Sequence, residues 1–187
     1  MSPEEILTEL AKSAGVPREA MRAGMAEVET LRPRVTELAR KFIDGVWLLP
    51  DDLQLLLRGI HVLAAAKDKQ SWPVLRDILK LPDEDIERLI GNGAAEPAGR
   101  LILSLWDGDD TQLMGLAFDP ALSWQVQWGL YQAIARLACD GRLDRAKAAS
   151  QLEKVERDSL LPDDSLAWVG WEHAVAHLGL ADMKSAL

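Results

Sequence analysis

Nowhere in the sequence do five consecutive residues alternate cleanly between apolar and polar within a pair of turn signals. That absence removes the half-buried β-strand as a building unit. The side-chain types agree: Leu and Ala together number 56, against 22 for Val, Ile and Thr. Leu and Ala lose little rotamer freedom in a helix, whereas β-branched side chains favour the pleated surface of a sheet. An all-α chain follows. At 187 residues it is long enough to bury roughly 70% of the surface its unfolded form exposes, so a core needs no disulfide staples.

Helix starts are marked in the N-terminal third. Ser2-Pro3-Glu4-Glu5 offers a capping serine, a proline at the first helical position and the glutamate of a capping box. Apolar Ile6, Leu7, Leu10 and Ala14 follow at helical spacing, and Gly15 ends the run. A second helix is expected from Pro17, stacking Met21, Met25 and Val28 as core. A third is expected from Pro33, stacking Val35, Leu38, Phe42, Ile43 and Val46.

From residue 49 the punctuation repeats. Leu49-Pro50-Asp51-Asp52, Leu81-Pro82-Asp83-Glu84 and Leu161-Pro162-Asp163-Asp164 are near copies, with Asp119-Pro120 before the last. The four prolines are 32, 38 and 42 residues apart. Proline pre-sets the backbone for a helix start, and carboxylates after it meet free N–H groups at the positive end of the helix dipole. Asp107-Gly108-Asp109-Asp110 and Asp140-Gly141-Arg142-Leu143 mark helix ends, and Asp68 and Asp182 close the first and last long helices. Gln132 to Leu137 also aligns with His173 to Leu178. Periods in this range belong to stacked helix pairs. The expected architecture is a HEAT/armadillo-like helical-repeat solenoid, an α-α superhelix. One domain is expected over 1–187, with capping helices in 1–48 and repeat units in 49–187. Residues 82–118 should hold three short helices, 83–90, 96–106 and 110–118. A helix over 121–140 is apolar on two faces, Leu122, Val126, Leu130, Ala133 and Leu137 on one and Trp124, Trp128, Tyr131 and Ala135 on the other. That pattern suits a helix covered from both sides. A last helix over 163–178 carries Leu166 and Gly170 on one stripe and Trp168, Trp171 and Val175 on another.

Several segments occur in the order of one family. They are His61-Val62-Leu63-Ala64-Ala65-Ala66, Trp72-Pro73-Val74-Leu75, Leu81-Pro82-Asp83-Glu84, Ile90-Gly91-Asn92-Gly93, Arg100-Leu101-Ile102-Leu103-Ser104, Asp107-Gly108 and Gln132 to Asp144. From about Pro17 onward the chain resembles the bacterial domain-of-unknown-function family 1186. The resemblance implies a HEAT-like helical fold and supplies no reaction. Members often continue into a Cys- and His-rich SEC-C zinc motif, which this sequence lacks.

The chemistry-bearing residues read mostly as structure. His173 and His177 share a helical face, but position 174 is Ala where the metalloprotease motif H-E-x-x-H needs Glu, so they are expected partly buried at a helix contact. Asp107, Asp109 and Asp110 lack the glutamate of a calcium loop, Phe118 standing at the twelfth position, and read as caps. Gly91-Asn92-Gly93 follows a helix and reads as a cap and turn, not a phosphate loop. Cys139, the single cysteine, closes no disulfide and is expected to be a small buried hydrophobe. No catalytic residue, metal ligand or cofactor follows, and the chain is not expected to be an enzyme.

With 21 Lys and Arg against 30 Asp and Glu, the net charge is −9. Such a field disfavours nucleic acid and anionic membranes. There is no long uncharged apolar run and no basic leader, so a cytoplasmic protein is expected. The seven tryptophans stand out against two Phe and one Tyr. Trp anchors interfaces, and Trp124, Trp128, Trp168 and Trp171 are the partner-binding candidates. The expected function is a non-catalytic scaffold binding a protein or peptide. An acidic inhibitor or immunity-type protein for a basic partner such as a nuclease is the alternative. A helical-repeat DNA glycosylase suits the tryptophans but not the charge.

Overall fold

The computed structural model describes residues 1–91 and 93–180, and among these every regular element is helical. The helices are α1 (Pro3–Lys12), α2 (Arg18–Ala26), α3 (Val28–Ile43), α4 (Pro50–Ala65), α5 (Trp72–Ile78) after a 3₁₀ turn (Lys69–Ser71), α6 (Asp83–Ile90), α7 (Ala95–Leu105), α8 (Asp110–Ala117), α9 (Trp124–Cys139), α10 (Arg145–Arg157) and α11 (Ala167–His177).

The N-terminal capping box forms as the sequence predicts. Glu5 N–H donates to Ser2 Oγ at 3.2 Å, and Ser2 N–H donates to Glu5 Oε2 at 2.6 Å. Ile6 and Leu10 are buried, but the helix stops at Lys12 and Ala14 is exposed. Arg58 of α4 ends it, donating to the carbonyls of Leu10, Ser13 and Gly15.

Helix α2 corrects the expected methionine core. It buries Ala20 and Gly24, whereas Met21 is half-buried and Met25 is exposed. The small face lets α2 approach closely: a Cβ on Gly24 would stand 3.1 Å from Val62 Cγ1. Helix α3 begins at Val28, five residues before Pro33, which lies inside it on an exposed face. There the lost N–H bond leaves a carbonyl that water can reach. Val46, expected as core, is exposed, because Gly45 takes φ 74° and swings the chain out of the helix. Val46 N–H then closes back onto Lys41 O at 2.8 Å.

Of the four repeated prolines, two start helices. Pro50 opens α4, and Pro82 directly precedes α6. Pro120 and Pro162 sit in turns instead. Asp119 Oδ1 accepts from Ala121 N–H at 3.0 Å, and Ser123 caps α9 two residues later. The Pro162 carbonyl accepts from Ser165 N–H at 3.0 Å, so α11 opens only at Ala167. The three short helices between 83 and 117 stand where expected. Gly91 ends α6 with φ 91°. Asn92 and Asp182, read as part of a turn and as a helix end, lie outside the described residues.

The buried apolar side chains form one continuous cluster. Within it α1, α2 and α3 pack on α4, α4 packs on α7, α7 on α9, and α9 on α11. Helix α5 lies against α3 and α7, and α8 and α10 lie against α9. Two glycines set the spacing around α9. A Cβ on Gly129 would come 2.7 Å from Ala95 O, and one on Gly170 would come 2.6 Å from Trp128. Backbone meets backbone at the first contact, and an indole fills the second.

Candidate functional site

With α7 and α11 packed on its two flanks, α9 presents a stripe between them that they cover only in part, Gly170 of α11 lying against Trp128. Trp124, Trp128, Gln132 and Arg136, four residues apart, lie along it as the floor of an open groove of about 830 Å³. Gly93, Ala95, Glu96, Gly99, Arg100 and Leu103 form the α7 wall, and Cys139 and His177 close one end. Gly99 brings that wall close to α9, since a Cβ there would stand 3.1 Å from Gly129 O.

The two indoles are half-buried, with ring centroids 6.1 Å apart. His173 stands edge-on to Trp128 at 5.9 Å. Trp128 Nε1 is buried without a hydrogen-bond partner. Arg100 pairs with Glu96 on α7, and Arg136 with Asp140 just past the end of α9, each four residues away. At the rim Arg142 Nη1 donates to Leu103 O at 3.0 Å.

Tryptophans 168 and 171 sit apart from this groove. Trp168 is half-buried beside a second hollow of about 440 Å³ rimmed by Glu156, Asp163, Asp164 and Glu172. Its Nε1 donates to Pro162 O at 2.9 Å. Trp171 packs edge-on against it at 5.3 Å, but is only 2% exposed and donates to Leu152 O at 2.9 Å. Trp171 is a core side chain and presents almost no surface to a partner.

Three expectations for polar residues change. Cys139 is exposed at the C-terminus of α9, and its Sγ donates to the carbonyl of His177 at 3.6 Å. The thiol therefore meets a backbone oxygen and not the imidazole a nucleophile needs. His173 and His177 are also exposed rather than partly buried, because α11 turns its Ala174 and Val175 side to the core. Among the described residues no three His, Cys, Asp or Glu side chains gather as a metal ion would require. The acids at 107–110 act as caps: Asp109 accepts from Thr111 and Gln112 N–H at 2.9 and 3.1 Å, and Asp110 pairs with Lys147. The hydrogen bonds from Gln112 hold the Asp109 carboxyl below its usual range.

One surface is absent from the sequence reading. Val46, Trp47 and Leu49 are exposed together, Trp47 at 75%. Arg88 stacks on Trp47 at 4.0 Å and faces Phe42 at 5.3 Å. The glycine break in Asp44-Gly45-Val46-Trp47 was the available signal, since a helix ending at Gly45 cannot keep the next two side chains in register with its core face.

The sequence model of a family described as "Protein of unknown function (DUF1186)" matches residues 1–178. No curated protein and no solved structure matches the chain.

Proposed function

The chain belongs to the DUF1186 family, and from that premise we propose that it is a non-catalytic scaffold that binds a peptide segment of another protein. One observation carries the reading: the partly covered stripe of α9 places two half-buried tryptophans on the floor of a long open groove. Aromatic anchors in a partly desolvated trough are where binding energy concentrates, and a rigid helix holds them without an ordering cost at association. The row of contacts from α4 through α7 and α9 to α11 supports reading the helices as HEAT-like pairs, with the groove on one side of the stack. The cytoplasm suits the exposed, unpaired Cys139.

Peptide display against the full chain tests this. Peptides that bind the wild type and bind Trp124→Ala about tenfold more weakly, with far-UV helicity unchanged, support the groove. Binders indifferent to that substitution place the site elsewhere.

The hollow beside Trp168 favours a second reading, an acidic inhibitor of a basic partner such as a nuclease. None of Glu156, Asp163, Asp164 and Glu172 is ion-paired among the described residues. A net charge of −9 would steer such a partner in. Binding to a panel of basic nucleases should then weaken with salt and with Asp163→Lys; insensitivity to both removes this reading.

A further inference from the structure

Resting on the peptide-groove reading, we infer that the segment the α9 groove takes is acidic, pairing a carboxylate with a bulky apolar side chain three or four residues away. The groove departs in sign from the molecule that carries it. The chain has net charge −9, yet Arg100 and Arg136 line the groove, and Glu96 is the one carboxylate among its described lining residues. Arg142 adds a cation at the rim through its bond to Leu103 O.

These guanidiniums differ from the chain's structural ones. Arg58 is committed to three backbone carbonyls, and Arg32 to the buried Asp68. Arg100 and Arg136, with side-chain exposures of 76% and 66%, instead hold exposed acids four residues away in sequence. Pairs of that kind are weak in water. A ligand carboxylate desolvated against the tryptophan floor can replace them with a bidentate bond.

Spacing fixes the rest of the motif. Trp128 and Arg136 are eight residues apart on α9, about 12 Å along its axis at 1.5 Å per residue. An extended peptide covers that distance in roughly three to four residues. An apolar side chain over Trp128 therefore leaves the acid at Arg136, and Arg100 faces the peptide from the other wall.

The test pans a random peptide display library on the full chain and on the double variant Arg100→Glu/Arg136→Glu. Both substituted side chains are exposed, so helicity by circular dichroism should be unchanged. The expected wild-type consensus is Asp or Glu three or four positions from Leu, Ile, Phe or Met. A synthetic consensus peptide should quench tryptophan fluorescence, bind the double variant about tenfold more weakly and weaken as salt rises. The double variant should select Lys or Arg in place of the acid. Neutral or basic wild-type binders that still depend on Trp124 would overturn the acidic specificity and leave the peptide groove standing. Binders independent of both Trp124 and the arginines, or an empty selection, would overturn the two together.

Discussion

Gly129 is where two helices touch without side chains between them. An added Cβ would stand 2.7 Å from Ala95 O and 2.9 Å from Gly99 N, and backbone cannot swing aside as a side chain can. Gly129→Ala should therefore cost about 1–3 kcal/mol, the range for forcing extra volume into a packed contact, read as a lower urea midpoint. Asp68 is a residue-scale pin of another kind. Arg32 donates to it twice, at 2.7 and 2.9 Å, and Ser71 Oγ at 2.6 Å. Burial alone would push its carboxyl up, but these bonds and the Arg32 charge outweigh that and hold it below the usual carboxylate range. A depressed pKa stabilises the fold above the unfolded value of roughly 3.9 and loses that contribution as pH falls through the folded value. Asp68→Asn should remove about 1.5–3 kcal/mol near neutral pH and flatten the acid limb of a urea-midpoint profile taken down to about pH 3. An unchanged acid limb would contradict this assignment. The sequence marked Asp68 as a helix end but not as an ion-pair partner, because Arg32 lies 36 residues away and no local pattern records that distance.

At the scale of elements, a cap can be separated from a motif that only looks like one. Asp109 accepts two backbone N–H groups at the start of α8, whereas Asp163 lies within a turn, four residues before α11 begins. Asp109→Ala should lower stability by about 1 kcal/mol, and Asp163→Ala by less than about 0.5; equal effects in thermal unfolding would refute the distinction. The same contrast explains what the sequence disclosed. Helix existence was legible from Leu and Ala content and from apolar spacing, as in α9, where Val126, Leu130, Ala133 and Leu137 are all buried. Boundaries were legible only where a local bond decides them, as with Ser2 and Glu5. Proline proved ambiguous, because its fixed φ suits a helix start and a turn equally well; Pro50 and Pro162 stand in like sequence and differ in what their neighbours bond. The candidate site was half visible. Trp124 and Trp128 could be placed on a helix face, but whether another helix covers that face depends on how α7 and α11 flank α9, which is tertiary information.

Over the whole molecule, contacts gather on two helices. Helix α4 gathers α1, α2 and α3, α9 gathers α7, α8, α10 and α11, and α7 joins the two groups. In such an arrangement a local loss of stability spreads to adjacent elements before distant ones. Gly129→Ala strikes the α7–α9 contact, so amide exchange should rise most in α7, α9 and α11 and least in α1 and α2. Arg58→Ala releases the end of α1 from α4 and should produce the reverse order. Hydrogen–deuterium exchange under native conditions reads both variants helix by helix. If each raises exchange equally in all helices, the molecule opens as a single cooperative unit, and the proposed reading of serially stacked helix pairs loses its energetic basis. If the two patterns are displaced as described, the α9 groove lies in the part of the molecule whose stability depends on the Gly129 crossing. Peptide affinity in Gly129→Ala should then fall even though Gly129 is not among the residues lining the groove, because the α7 wall would no longer be held at a fixed distance from the tryptophan floor.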